Sequence, residues 1–146
     1  SPLWRLRAGH SLRPLDLDRL SLASHALLGR HDFSAFRSSQ CQARTPIRTL
    51  ERLEWTRQGS FLLCRLTANA FLHHMVRNLV ATLLMAGDGR RPVDWPAAVL
   101  ASRDRSRAAA TFSPAGLYLV AVRYDPRFDL PGPTADDAPI TIDQLA

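Results

Sequence analysis

Asn69-Ala70-Phe71-Leu72-His73-His74-Met75-Val76-Arg77-Asn78 opens a segment that runs on to Ala86 with the spacing of an amphipathic helix. At about 100° per residue, Phe71, Leu72, Met75, Val76, Leu79, Val80 and Leu83 gather on one side. His73, His74, Arg77 and Asn78 fall on the other. Asn69 suits the N-cap, because its side-chain oxygen can accept from an unpaired N–H of the first turn. Gly87, past the last apolar position, suits the stop. One face of this helix therefore calls for a core, while the opposite face carries a guanidinium beside two imidazoles. That polar face fits plain solvation. It also fits a cleft in which the planar fork of Arg77 meets a phosphate or carboxylate.

Outward from this helix, the flanking segments predict an α+β layer in the order α–β–β–α–α–β, with helices packed on a mainly antiparallel sheet. Pro14 to Leu28 has helical spacing, with Asp16 and Asp18 in the early turns and Gly29 at the end. Phe33 and Phe36, in a short aromatic run with the look of a helical turn, suit a local core. Ile47 to Arg57 alternates, placing Ile47, Leu53 and Trp55 on one face and Arg48, Arg52 and Glu54 on the other. Gln58-Gly59 marks a turn into a second strand, Ser60 to Ala68, with Leu62, Cys64, Leu66 and Ala68 on one side. Trp95 to Ser102 predicts a short helix with Pro96 in its first turn. Leu117 to Tyr124 is nearly continuously apolar, as in a strand interior to a sheet. The organisation expected is a folded body over residues 1–130 and a loose tail rich in Pro and Asp over 131–146.

The charge is uneven. The 146 residues include 19 basic side chains, all arginine, and 13 acidic ones, for a net +6. Residues 1–130 hold every arginine against ten carboxylates, and Asp136, Asp137 and Asp143 lie in the tail. A basic body with a weakly acidic tail suits a phosphate-rich partner. The composition, 46% hydrophobic and 22% charged, is that of a soluble globular chain. No apolar run reaches membrane-spanning length, and Ser1-Pro2-Leu3-Trp4-Arg5-Leu6-Arg7 has no signal-peptide core. A cytoplasmic setting is expected, with Cys41 and Cys64 reduced. The first residue is not methionine, so the chain is expected to begin partway through a protein.

Spacing alone marks no active centre. Adjacent His73 and His74 lie about 100° apart on a helix and cannot chelate as an i, i+4 pair does. Gly87-Asp88-Gly89 follows a helix rather than a strand and is too short for a phosphate loop.

Four ordered segments, however, resemble the tRNA pseudouridine synthase A family, which modifies the anticodon stem-loop. They are His31-Asp32-Phe33-Ser34-Ala35-Phe36-Arg37, Cys41-Gln42-Ala43-Arg44-Thr45-Pro46-Ile47-Arg48, the Asn69–Asn78 stretch, and Arg103-Asp104-Arg105 leading to Gly116-Leu117-Tyr118-Leu119-Val120. The similarity covers roughly residues 15–131. It implies one lobe of the pseudouridine synthase fold and a chemistry without cofactor or metal. In that chemistry an aspartate attacks the uridine nucleoside, the N-glycosidic bond breaks, and the base is rejoined through C5. Arg77 matches the family's active-site arginine beside the aspartate, where it would hold the carboxylate ionised. Leu117 matches the apolar residue lining the target base. His74, Arg37, Arg44, Arg103 and Arg105 are expected against tRNA, although the Arg103–Arg105 run also suits a local cap. The family's GRTDxGVH-like stretch, which carries the nucleophile, has no counterpart here, and its partner tyrosine lies upstream of Ser1. The resemblance thus implies the C-terminal half of the enzyme, inactive alone. It needs the missing N-terminal lobe and, in the full-length enzyme, a homodimer with tRNA across both subunits. A noncatalytic RNA-binding module is the alternative.

Overall fold

A computed structural model describes residues 5–129. By its contacts the chain divides into two units, one over His10–Ser113 and the other over Ser1–Gly9 with Pro114–Ala146.

The larger unit is α+β. Helix α1 spans Leu17–His25, β1 Gly29–Asp32, β2 Ile47–Gln58 and β3 Phe61–Ala68, followed by α2 (Met75–Gly87) and α3 (Trp95–Ser102). The strands form one antiparallel sheet in the order β1-β2-β3. Single 3-10 turns at Ser34–Phe36 and Arg105–Arg107 complete the unit.

Local chemistry sets these limits. Asp16 is the N-cap of α1, its carboxylate accepting from the N–H groups of Asp18 and Arg19 at 2.9 and 3.1 Å. The Asp16 N–H donates to the Gly87 carbonyl at 3.0 Å, joining the start of α1 to the end of α2. A Cβ on Gly87 would stand 2.5 Å from a methyl of buried Leu20, so the two helices approach as closely as they do because the residue is glycine.

The core joins Leu20 and Ala23 of α1, and Leu27 just past it, to Phe33, Phe36, Leu50 and Leu53, and to Met75, Leu79 and Leu83 of α2. Phe33 and Phe36 are fully buried at its centre, as their spacing suggests. Leu62, Cys64, Leu66 and Ala68 of β3 pack against it, and burial pushes the Cys64 thiol up. Trp55 reaches from the sheet to α1, its indole N–H donating to the Ser24 hydroxyl at 2.8 Å.

Five expectations are corrected. First, α2 starts at Met75 instead of Asn69, because His74 sits in the left-handed region at φ 61° and blocks an earlier start. Asn69 does not cap it. Its side-chain oxygen accepts from Thr49 N–H at 2.9 Å and from Ala70 N–H, a local competition typical of Asn. Second, Gly29, at φ 97°, opens the strand β1 that the sequence did not suggest, and α1 ends earlier, at His25. Third, β2 does not alternate throughout. A register shift between Leu50 and Arg52 moves the buried set from even to odd positions, so Leu50 and Leu53 both face the core. Fourth, Asn78 is buried, at 1% exposure, where a polar outer face was expected. Fifth, Leu117–Tyr124 forms no strand. It pairs with no described residue in a ladder, and Leu119 and Val120 are exposed at 79% and 63%. Apolar composition suits a strand, but a strand exists only through its hydrogen-bonded neighbour.

The second unit, within its described residues, has a 3-10 turn at Pro126–Phe128 and a bond from the Tyr118 hydroxyl to the Arg7 carbonyl at 2.8 Å. The expected tail, 131–146, lies outside the described residues.

Candidate functional site

The N-terminal end of α2 gathers the polar groups of the larger unit. Arg77 is half-buried in the first turn, and its Nε–H donates to the Phe112 carbonyl at 2.7 Å. A guanidinium carries five N–H donors, so this bond fixes its direction and uses one. The four terminal N–H groups have no partner among the described residues, and no described carboxylate pairs with them. One turn earlier, the His74 ring stacks on that of His73 with centroids 3.9 Å apart. Desolvation lowers the His74 pKa from 6.5, and the nearby charges of His73, Arg77 and Arg105 lower it further. Two imidazoles and two guanidinium groups thus crowd one place, which is costly unless negative charge arrives to relieve it.

Beside them opens a cleft of about 520 Å³, with His74, Asn78, Arg105, Thr111, Ser38 and Ser106 among its lining residues. None of the lining side chains is a carboxylate. Asn78 donates from Nδ2 to the Phe36 carbonyl at 2.9 Å and accepts at Oδ1 from Arg105 Nη2 at 3.0 Å and the Thr111 hydroxyl at 2.8 Å. Arg105 also donates to the Ala109 carbonyl at 3.0 Å and to the Thr111 hydroxyl at 3.2 Å. Thr82 accepts from the Ala109 N–H, so the segment 105–112 is tied to α2 at several points.

The remaining candidate residues separate. Arg37 donates to the carbonyls of Cys41 and Ala43 and so closes its own loop, outside the cleft lining. The Ser38 N–H donates to the His73 carbonyl and the His73 N–H to Cys41 Sγ, so that loop is fastened to the approach to α2. Arg103 ends α3 in the left-handed region and lies 3.6 Å from the Asp32 carboxylate. Burial raises the Asp32 pKa, but bonds from Ser34 and the charges of Arg103 and Arg37 outweigh it and hold the carboxyl below its usual range. Asp104 caps the following turn, accepting from the Ser106 N–H and hydroxyl. Arg44 is exposed and has no partner among the described residues. Leu117 belongs to the second unit and is 49% exposed. The structure therefore brings His74 and Arg105 together in the cleft, with Arg77 beside them. Asn78 and Thr111 were missed, since a polar residue on a helix gives no sequence sign that its partners lie some thirty residues away.

Among the described residues no three His, Cys, Asp or Glu side chains cluster as metal ligands, and no described helix is long and apolar enough to cross a membrane.

The larger unit is thus an α+β fold with Arg105 lining a cleft and Arg77 beside it, neither paired with a described carboxylate. The family model for tRNA pseudouridine synthases matches residues 23–125, and the chain belongs to that family. It is similar to proteins named tRNA pseudouridine synthase A. That of Bordetella petrii is 59% identical over 129 residues, covering 88% of this chain and 48% of the relative. That of Paraburkholderia phytofirmans is 54% identical, covering 95% and 52%. That of Thiobacillus denitrificans is 55% identical, covering 82% and 46%. The chain spans about half the length of the curated relatives it matches.

Proposed function

We propose that this chain is the C-terminal lobe of a synthase that isomerises uridine to pseudouridine in the anticodon stem-loop of tRNA. The observation that carries this reading is Arg77, aimed by its Nε–H on the Phe112 carbonyl and left with four unpartnered N–H groups. A carboxylate accepting two of them would be held ionised and oriented, as an attacking aspartate requires. The nucleophilic aspartate comes from a lobe outside this chain, because none of its own aspartates stands in the family's nucleophile stretch. Of its own aspartates, Asp32, Asp88 and Asp104 are engaged by Ser34, Arg90 and Ser106.

In the reaction the target base leaves its stack, the aspartate attacks the nucleoside and the N1–C1′ bond breaks. The freed base turns and bonds through C5 to C1′ as the aspartate is released, N1 taking a proton and the C5 proton passing to solvent. Arg105 and Arg44 meet RNA backbone and His74 meets the substrate at the cleft, while Arg37 stays engaged with its own loop and Arg103 with Asp32. The working enzyme is a cytoplasmic homodimer that needs no cofactor.

Tritium release from tRNA labelled at uridine C5 tests the reading. The chain alone should give none, and mixing it with the aspartate-bearing lobe of the Bordetella petrii relative should restore release. Turnover by the chain alone would overturn the assignment of the nucleophile to another lobe.

A further inference from the structure

We infer that Asn78 is a positioning residue which, through its side-chain amide, sets Arg105 as an anion-contacting group in the cleft. The inference rests on the tRNA reading above. The amide orientation is dictated by its partners, since the Phe36 carbonyl can only accept and a guanidinium can only donate. Asn78 is buried, so each of these bonds is made away from water and a lost one leaves a polar atom unsatisfied.

The bonds form a closed triangle. Thr111 donates to Asn78, accepts from Arg105, and Arg105 donates to Asn78. Both Nη2 hydrogens of Arg105 are thereby used, and one Nη1 hydrogen goes to Ala109. The Nε–H and the second Nη1–H remain, and every partner of the guanidinium is neutral. A guanidinium fixed on one edge, uncompensated and at a cleft without carboxylates, fits a phosphodiester of a bound strand. An asparagine suits the post where an aspartate would not. An amide orients Arg105 and leaves its charge for the ligand, whereas a carboxylate would neutralise it.

The test measures tRNA binding by the full chain against salt concentration, alongside thermal melting. Asn78→Asp should weaken binding about tenfold and lower the salt slope by about one, as Arg105→Gln does, because both remove one phosphate contact. The double variant should bind no worse than Arg105→Gln alone. Thr111→Val, which keeps the shape and loses the hydroxyl, should weaken binding about threefold while lowering the melting temperature by only a few degrees. It decides the matter if Asn78→Asp does not fold. Additive losses in the double variant, or an affinity and slope untouched by Thr111→Val and Arg105→Gln, would overturn the positioning role while leaving the tRNA reading standing. An unsubstituted chain that binds no tRNA would overturn both.

Discussion

At its C-terminal end α2 is met by Arg19, whose Nε and Nη2 both go to backbone carbonyls, Ala86 at 2.8 Å and Arg91 at 2.9 Å. Near its N-terminal end Arg77 spends only Nε, on Phe112, and its terminal nitrogens have no partner among the described residues. Arg19 takes up carbonyls at and just beyond a helix terminus, adding to the Gly89 N–H that Ala86 already accepts, and its charge lies favourably at the negative end of the dipole. Arg77 lies at the positive end, beside His74 and close enough to depress its pKa, where a cation serves stability badly. One arginine completes the fold, and the other, in the reading proposed above, is held at the fold's expense for a carboxylate from another lobe.

The sharpest way to break this contrast is Arg77→Lys in the enzyme that joins this chain to its aspartate lobe. A point charge on a flexible stem keeps the sign and loses the bidentate fork. Turnover should fall about a hundredfold or more. The melting free energy should change by about 1 kcal/mol, the worth of one hydrogen bond. A variant that melts and works in proportion would make Arg77 architectural.

Arg19→Met should do the reverse. The apolar stem remains and two bonds to carbonyls vanish, so stability should fall by about 2 kcal/mol in chemical denaturation. Salt-dependent tRNA binding, measured where the variant is folded, should not move. A change in the salt slope would place Arg19 against RNA and dissolve the contrast between the helix ends.

The sequence carried one side of this comparison well. Helical spacing found α1 and α2, and alternation found β3 and the later part of β2, because those segments pack a repeating apolar set, while Pro96 marked the start of α3. Gly29–Asp32 carries no such set, and it is a strand only because β2 lies beside it. Leu117–Tyr124 carries a strong one and is no strand, since no described segment pairs with it. The employment of each arginine was illegible for a related reason. Arg19, Arg37, Arg77 and Arg105 are told apart by which carbonyls and amides lie near, and for Arg19 and Arg77 those belong to residues far off in the chain. Resemblance singled out Arg77. Geometry alone showed that Arg37 is committed to its own loop and that Asn78 is a hub.

A smaller effect separates free from committed arginines away from α2. Exposed Arg44 has no partner among the described residues, whereas Arg37 holds two carbonyls. Arg44→Ala should reduce the salt slope of tRNA binding by about one and weaken affinity a few fold, with no change in melting. Arg37→Ala should lower the melting temperature first. Equal behaviour of the two would mean that the loop bonds of Arg37 contribute little.

The smallest expected effect belongs to His74, and its sign is informative. Its pKa in the folded chain lies below 6.5, with desolvation the main cause and His73, Arg77 and Arg105 adding to it. The unfolded chain therefore takes up a proton that the folded chain resists. Stability should decline as pH falls through about 6.5 toward the folded value, and should not decline further on this account below it. His74→Asn, which tolerates the left-handed backbone, should flatten that part of the profile. Bound RNA should act in the opposite sense. A phosphate against Arg105 would offset part of the charge that depresses His74, raise its pKa and make binding take up a proton, so tRNA affinity should rise as pH falls through the same window. Melting of the free chain and binding of tRNA should then respond oppositely to acid, and both responses should vanish together in His74→Asn. If acid weakens the fold and leaves binding unmoved, His74 does not face the RNA, and the relief of crowded charge at this end of α2 must come from the carboxylate at Arg77 alone.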